Sequence, residues 1–269
     1  ILRYLPGKAQ DLRAYFLTMQ YWLGGSDDNV REMVRFLVSR YARHAEWRKV
    51  EAKAPIDYPD CALYHPDLPG HHITTELAEL PAPKVTKATV GVLMLRSYIL
   101  ASDCAHYDAV IRAMETRGLR VVPAFAGGLD GRPAIERYFK AAGVDAMVSL
   151  TGFSLVGGPA YNDSAHPLEF QTLGQWAASP GGLGPVETTM LIALPEIDGA
   201  TNPTVFGGRH GPEGCKGCDR ACACMAANKE MAPCMERVDT LAARTERLAT
   251  LRRRENADKT VAVVLFGFP

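Results

Sequence analysis

Five of the seven cysteines fall between Cys215 and Cys234, and four of these form a compact run, Cys215-x₂-Cys218-x₃-Cys222-x-Cys224. Four thiolates within ten residues can wrap one metal centre, because soft sulfur suits Zn²⁺, Cu(I) or iron–sulfur clusters. Structural zinc usually draws on two knuckles separated by a longer spacer. A single run containing C-x₂-C is closer to iron–sulfur ligation. Cys215, Cys218, Cys222 and Cys224 are therefore candidate iron–sulfur ligands, with zinc as the alternative metal. The reading without chemistry is a Cys-rich surface loop kept flexible by Gly211, Pro212, Gly214 and Gly217. Cys234 is a spare ligand or the first turn of the helix that follows.

A second group lies in loops that follow predicted strands. Open α/β sheets bind ligands outside the carboxyl ends of their strands. Those loops carry Arg96, Ser97, Asp103, Asp130, Thr151, Gly152, Phe153 and Ser154, with paired glycines at Gly127-Gly128 and Gly157-Gly158. Paired glycines admit close backbone approach to a ligand; they also simply make tight turns. No phosphate-binding glycine motif is present, so no nucleotide site is indicated. Histidines at 65, 71, 72, 106, 166 and 210 include no His/Glu pair at metal-ligand spacing, and His71-His72 is the best candidate among them. Tyr21 and Trp22, ahead of Gly24-Gly25, can stack on a flat ring or pack one helix on another.

The elements that must position these groups follow from periodicity. Apolar residues over 11–23 mark one helix, ended by Gly24-Gly25. Ser26 or Asp27 caps a second helix that runs to about Trp47. Prolines at 55, 59, 66, 69, 81 and 83 mark 49–86 as a linker. Strands over 89–95, 119–126 and 144–150 alternate with helices over 104–117 and 132–142, which argues for a parallel sheet with right-handed crossovers. Residues 186–194 form a helix on that sheet and 204–206 a short strand. An amphipathic helix covers 237–254, and 260–266 begins a new strand.

The expected fold class is thus α/β. A helical region (1–48) and a Pro-rich linker (49–86) precede a doubly wound, flavodoxin-like parallel sheet domain (87–210). A Cys-rich insert (211–235), a long helix (236–258) and the first strand of a further α/β unit (259–269) complete it. The chain opens without Met and closes just after a strand-like run, so a further domain is expected.

The 269 residues are 47% hydrophobic and 22% charged, with no net charge. That suits a globular protein and argues against nucleic-acid binding, which draws on a basic excess. No apolar run reaches the roughly 18 residues of a membrane helix, and Ile1 opens into Arg3 and Tyr4 without a secretory leader. A soluble, cytoplasmic location is expected, with association to a membrane surface as the alternative.

Several stretches, in order along the chain, resemble one family. Gln20-Tyr21-Trp22-Leu23-Gly24-Gly25-Ser26, preceded by Arg3-Tyr4-Leu5-Pro6, is similar to a signature shared by the H subunits of magnesium chelatase and the large subunit of aerobic cobaltochelatase. Arg96-Ser97 with His106-Tyr107 fits it, although Tyr98 stands where the family usually has His. Phe125-Ala126-Gly127-Gly128-Leu129-Asp130 with Glu136-Arg137-Tyr138-Phe139 fits too, as does Ala193-Leu194-Pro195-Glu196-Ile197-Asp198-Gly199. The stretch from Val148 to Ala160 resembles the magnesium enzyme more than the cobalt one. The Cys-rich insert resembles the bacteriochlorophyll-pathway type. The family carries more sequence between the Gly157-Gly158 loop and Leu168, so a segment is expected to be missing at Ser164/Ala165.

The resemblance implies ATP-dependent insertion of Mg²⁺ into protoporphyrin IX. Partner AAA+ type I and D subunits would hydrolyse the ATP, and a downstream methyltransferase is a further partner. Porphyrin-contacting candidates here are Tyr21, Trp22, Arg96, Gly127, Gly128, Thr151, Gly152 and Phe153. The catalytic residues are expected outside this piece, which alone should not metallate anything. The competing readings are a cobaltochelatase large subunit acting on a corrin precursor, and an iron–sulfur sensor module without catalysis.

Overall fold

The computed structural model describes residues 7–128, 130–152, 168–172, 184–208, 230–265 and 267. The chain divides into two compact units, one formed by 1–60 with 95–104, the other by 61–94 with 105–269.

In the first unit α1 (Lys8–Gly24) and α2 (Asp27–Tyr41) form the expected hairpin, and the short α3 (Arg96–Leu100) belongs to the same unit. Gly25 ends α1 in the left-handed region (φ 62°), where its N–H reaches the carbonyls of Tyr21 and Trp22. Only glycine adopts this conformation cheaply. Ser26 caps α2, its hydroxyl accepting from the Asn29 N–H at 3.1 Å. Asp27 and Asp28 in the first turn complement the helix dipole. The segment expected to be linker is in part bound to this hairpin. The Asn29 side chain donates to the Ile56 carbonyl and accepts from the Ile56 N–H, both at 2.8 Å. The Glu32 carboxylate accepts from the Lys53 N–H at 2.9 Å. A Cβ on Gly24 would lie 2.2 Å from Asn29 Nδ2, so the glycine is needed for this close approach.

The second unit is built on a seven-stranded sheet, ordered β2-β1-β4-β3-β5-β6-β7. Its strands are β1 (Cys61–Tyr64), β2 (Ile73–Thr74), β3 (Ala88–Leu95), β4 (Leu119–Ala126), β5 (Ala146–Ser149), β6 (Leu168–Thr172) and β7 (Ala200–Thr204). β3, β5, β6 and β7 run parallel. The order β4-β3-β5-β6-β7 is the flavodoxin-like one expected. The Pro-rich stretch corrects the sequence reading: it adds β1 and β2 as an antiparallel extension, β1 pairing Leu63 with Ala124 of β4. Its prolines fall outside the paired residues, which is why a proline count alone reads as loop. Leu63, Leu68 and Leu80 from this stretch enter the core cluster.

Strand residues alternate between faces. Leu93, Val122, Ala124 and Met147 meet Ala134, Ile135, Tyr138 and Phe139 on one face. The helical stretch 132–142 that covers it is α5 (Arg132–Ala134), a π turn (Ile135–Phe139) and α6 (Lys140–Ala142). α4 (Ala105–Thr116) buries Tyr107, Val110, Ile111 and Met114 and packs on α9 (Met235–Arg253). α9 is held against the start of β3 by an ion pair from Glu246 to Lys87 (2.5 Å) and against the start of β5 by one from Arg253 to Asp145 (2.8 Å). The expected helix over 186–194 forms as α7 (Pro185–Thr188), a π turn and α8 (Leu194–Ile197). Residues 260–265 form neither helix nor strand, with Val261, Val263, Val264 and Leu265 exposed. The expected strand is therefore not formed here, because a strand needs a hydrogen-bonded neighbour.

Candidate functional site

In the second unit the chain runs outward from β3 in two directions, through α4 to β4 on one side and then to β5 on the other. Such a reversal opens a crevice at the carboxyl ends of the strands. β4 ends there on Gly127 and Gly128, both exposed, with Gly128 at φ 74°. β5 ends on Ser149, followed by Thr151 and Gly152, both half-buried. The Ser149 and Thr151 hydroxyls are 3.0 Å apart, and Gly152 sits at φ 71°. Hydroxyls and glycine backbone groups suit hydrogen bonding to a polar ligand edge; they are neither acids nor bases near neutral pH.

Asp130, also in the loop after β4, is occupied. Arg132 grips its carboxylate through two nitrogens, at 2.6–3.0 Å, and the Arg132 N–H adds a third donor at 3.0 Å. The Arg132 hydrogen bonds hold the Asp130 carboxyl below the usual carboxylate range. The loop thus presents a neutral pair.

The first unit holds Tyr21, Trp22 and Arg96. Tyr21 is 3% exposed, its ring near Phe36 and its hydroxyl donating to the Lys53 carbonyl. This corrects its candidacy as a stacking platform: the ring faces into the hairpin. Trp22, 62% exposed, remains on the surface. Arg96 is corrected likewise, because its guanidinium donates to the carbonyls of Tyr58 (3.0 Å) and Pro59 (3.1 Å). It fastens backbone and does not reach outward. Phe153 and the ligand candidates Cys215, Cys218, Cys222 and Cys224 lie outside the described residues. So does the junction at Ser164/Ala165. The bases of the Cys-rich stretch are described: β8 (Gly207–Gly208) pairs antiparallel with β9 (Ala232–Pro233), and the Cys234 N–H donates to the Phe206 carbonyl at 2.8 Å. A Cβ on Gly207 would meet the Ala232 carbonyl at 2.5 Å, so this neck closes on a glycine.

Sequence reasoning missed a polar network between the β1–β2 hairpin and α4. His65 is wholly buried, and its Nδ1 accepts from the Asp67 N–H at 3.1 Å. Nε2 therefore carries the proton and donates to Glu115 at 2.8 Å. Arg112 grips the Asp67 carboxylate and holds it below its usual pKa range. The Tyr64 hydroxyl donates to Asp108 at 2.7 Å, while burial pushes the Asp108 carboxyl up. His72 stands at φ 61° with Nδ1 donating to the Leu68 carbonyl at 2.6 Å. Among the described residues no three His, Cys, Asp or Glu side chains converge to hold a metal ion. The network fastens the sheet extension to α4. Partners about 50 residues apart leave no spacing signal to find.

The chain is similar to known proteins along most of its length. Residues 19–269 match the family model described as CobN/Magnesium Chelatase. The chain is 63% identical to the magnesium-chelatase H subunit of Cereibacter sphaeroides, over all of this chain and 24% of that protein. It is 34% identical to a rice chloroplastic magnesium-chelatase subunit, over all of the chain and 21% of that protein. With the aerobic cobaltochelatase CobN subunit of Pseudomonas aeruginosa it shares 27% identity over 93% of the chain and 20% of that protein. The solved catalytic subunit of cobaltochelatase from Mycobacterium tuberculosis shares the fold, with TM-score 0.61 and 22% identity over 91% of this chain and 20% of that one. The chain spans about a quarter of the length of the Cereibacter relative. By the match of its family model and its identity to these relatives, the chain belongs to the CobN/Magnesium Chelatase family.

Proposed function

We propose that this chain is a region of the porphyrin-binding H subunit of a magnesium chelatase of the bacteriochlorophyll pathway. The whole subunit inserts Mg²⁺ into protoporphyrin IX in the cytoplasm, with AAA+ type I and D subunits hydrolysing ATP. The observation that carries this reading is the 63% identity to a magnesium-chelatase H subunit along the entire chain, against 27% to the cobaltochelatase subunit. No described helix is long and apolar enough to cross a membrane.

Mg²⁺ gives up its water reluctantly, and metallation needs groups that accept the pyrrole protons. The strand-end loops offer Gly127, Gly128, Ser149, Thr151 and Gly152, with Asp130 neutralised by Arg132. These groups suit holding the polar edge of a macrocycle, its carboxylate side chains above all, and leave proton transfer to the rest of the subunit. The Cys-rich stretch, closed at its neck by β8 and β9, is read as an iron–sulfur site on Cys215, Cys218, Cys222 and Cys224. Anaerobically purified protein should then show visible absorbance that air bleaches, and colourless protein holding zinc would remove that part.

The test of function is ligand choice by the full-length subunit. Protoporphyrin IX should quench its tryptophan fluorescence with the higher affinity. Tighter binding of a cobaltochelatase-type corrin precursor would overturn the assignment.

A further inference from the structure

Helix α1 carries a second apolar face that nothing described covers. Ala14 and Tyr21 are buried on one side. Leu12, Tyr15, Phe16, Trp22 and Leu23 are exposed, Leu23 at 72%. Counted from Leu12 they stand three, four, ten and eleven residues on, which places them on a single helical stripe. At 1.5 Å per residue it runs along roughly 16 Å of helix, the length over which a second helix packs. Tyr15 and Phe16 already meet edge to face, at 5.7 Å between centroids, which makes a preformed aromatic ridge. Contiguous exposed patches of this kind mark interaction surfaces.

We propose that this stripe is the seat of a helix from another region of the same polypeptide, outside the quarter of the subunit that this chain spans. Length favours this occupant: the Cereibacter relative carries about three quarters of its residues beyond the match. A segment in the same chain acts at a high effective concentration, which a separate partner lacks. Composition argues against a lipid surface. An interfacial helix sets lysines and arginines along its polar face, whereas α1 has only Lys8 and Arg13 and turns its other face onto α2. The neighbouring charges are used locally, Asp11 accepting from the Tyr41 hydroxyl at 3.1 Å. The proposal rests on family membership and not on which macrocycle the subunit binds.

Hydroxyl-radical footprinting of the full-length subunit, read by mass spectrometry, tests it without any substitution. Tyr15, Phe16 and Trp22 should lose reactivity to the level of the enclosed Tyr21, at every protein concentration and without porphyrin or partner subunits. A photocrosslinking residue replacing Trp22 should form an intrachain link to a peptide outside these 269 residues. Full reactivity of the stripe overturns the proposal. So does protection that needs high concentration, added porphyrin or the ATPase subunits, since each names a different occupant.

Discussion

Asn29 shows how much one side chain can decide. Its amide uses both ends on Ile56, donating to the carbonyl and accepting from the N–H. Asn29→Ala leaves both backbone groups without that partner, at a cost of about 2 kcal/mol. The Ile56 amide of the full-length protein should then exchange with solvent about thirtyfold faster, while amides of β3 stay unchanged. Glu32 adds a pH dependence. The Lys53 N–H first, then Arg35, hold its carboxyl below the ordinary value. A lowered folded-state pKa gives stability that is present above the unfolded value of about 4.3 and lost as pH falls through the lower folded value. Protection of the Lys53 amide should fade over that acid range, and Glu32→Gln should abolish the dependence. Neither role was legible in the sequence, because Asn29 and Glu32 read as ordinary polar helix positions and their partners lie in a stretch read as linker.

At the scale of elements, the parallel strands and crossover helices were legible because buried strands write themselves as apolar runs. β3 is buried at seven of its eight residues, and α4 buries Tyr107, Val110, Ile111 and Met114 as its stripe requires. The antiparallel extension was not legible: β1 is four residues and β2 two, too short for a period to emerge among prolines. The strand-end loops were singled out by position alone, which could not show that the Arg96 guanidinium is taken up by the Tyr58 and Pro59 carbonyls. Gly91 records why a glycine stands inside a strand. A Cβ there would come within 2.9 Å of the Phe139 ring, itself fixed by the π turn and the core around it. Gly91→Ala should destabilise the sheet unit by about 1–3 kcal/mol through overpacking, measured by denaturant unfolding. A smaller partner, Phe139→Leu, should recover part of the loss in the double variant.

At the scale of the molecule, the chain spans about a quarter of the Cereibacter relative it matches, and that match supports its proposed place as one region of a longer subunit. α1 shows an aromatic ridge to solvent, Val261, Val263, Val264 and Leu265 are exposed, and the described residues after β4 and β5 offer glycine backbone, the Ser149 and Thr151 hydroxyls and the Asp130–Arg132 pair. The family resemblance was legible from its dispersed motifs. The central claim is that the carboxyl ends of β4 and β5 hold the tetrapyrrole. Its most direct test is the dissociation constant of protoporphyrin IX for the full-length subunit with Gly127→Leu, which fills the mouth of the crevice at an exposed glycine. The account predicts affinity weakened about tenfold, or about 1.4 kcal/mol, with an unchanged melting curve. An unaltered dissociation constant would contradict it.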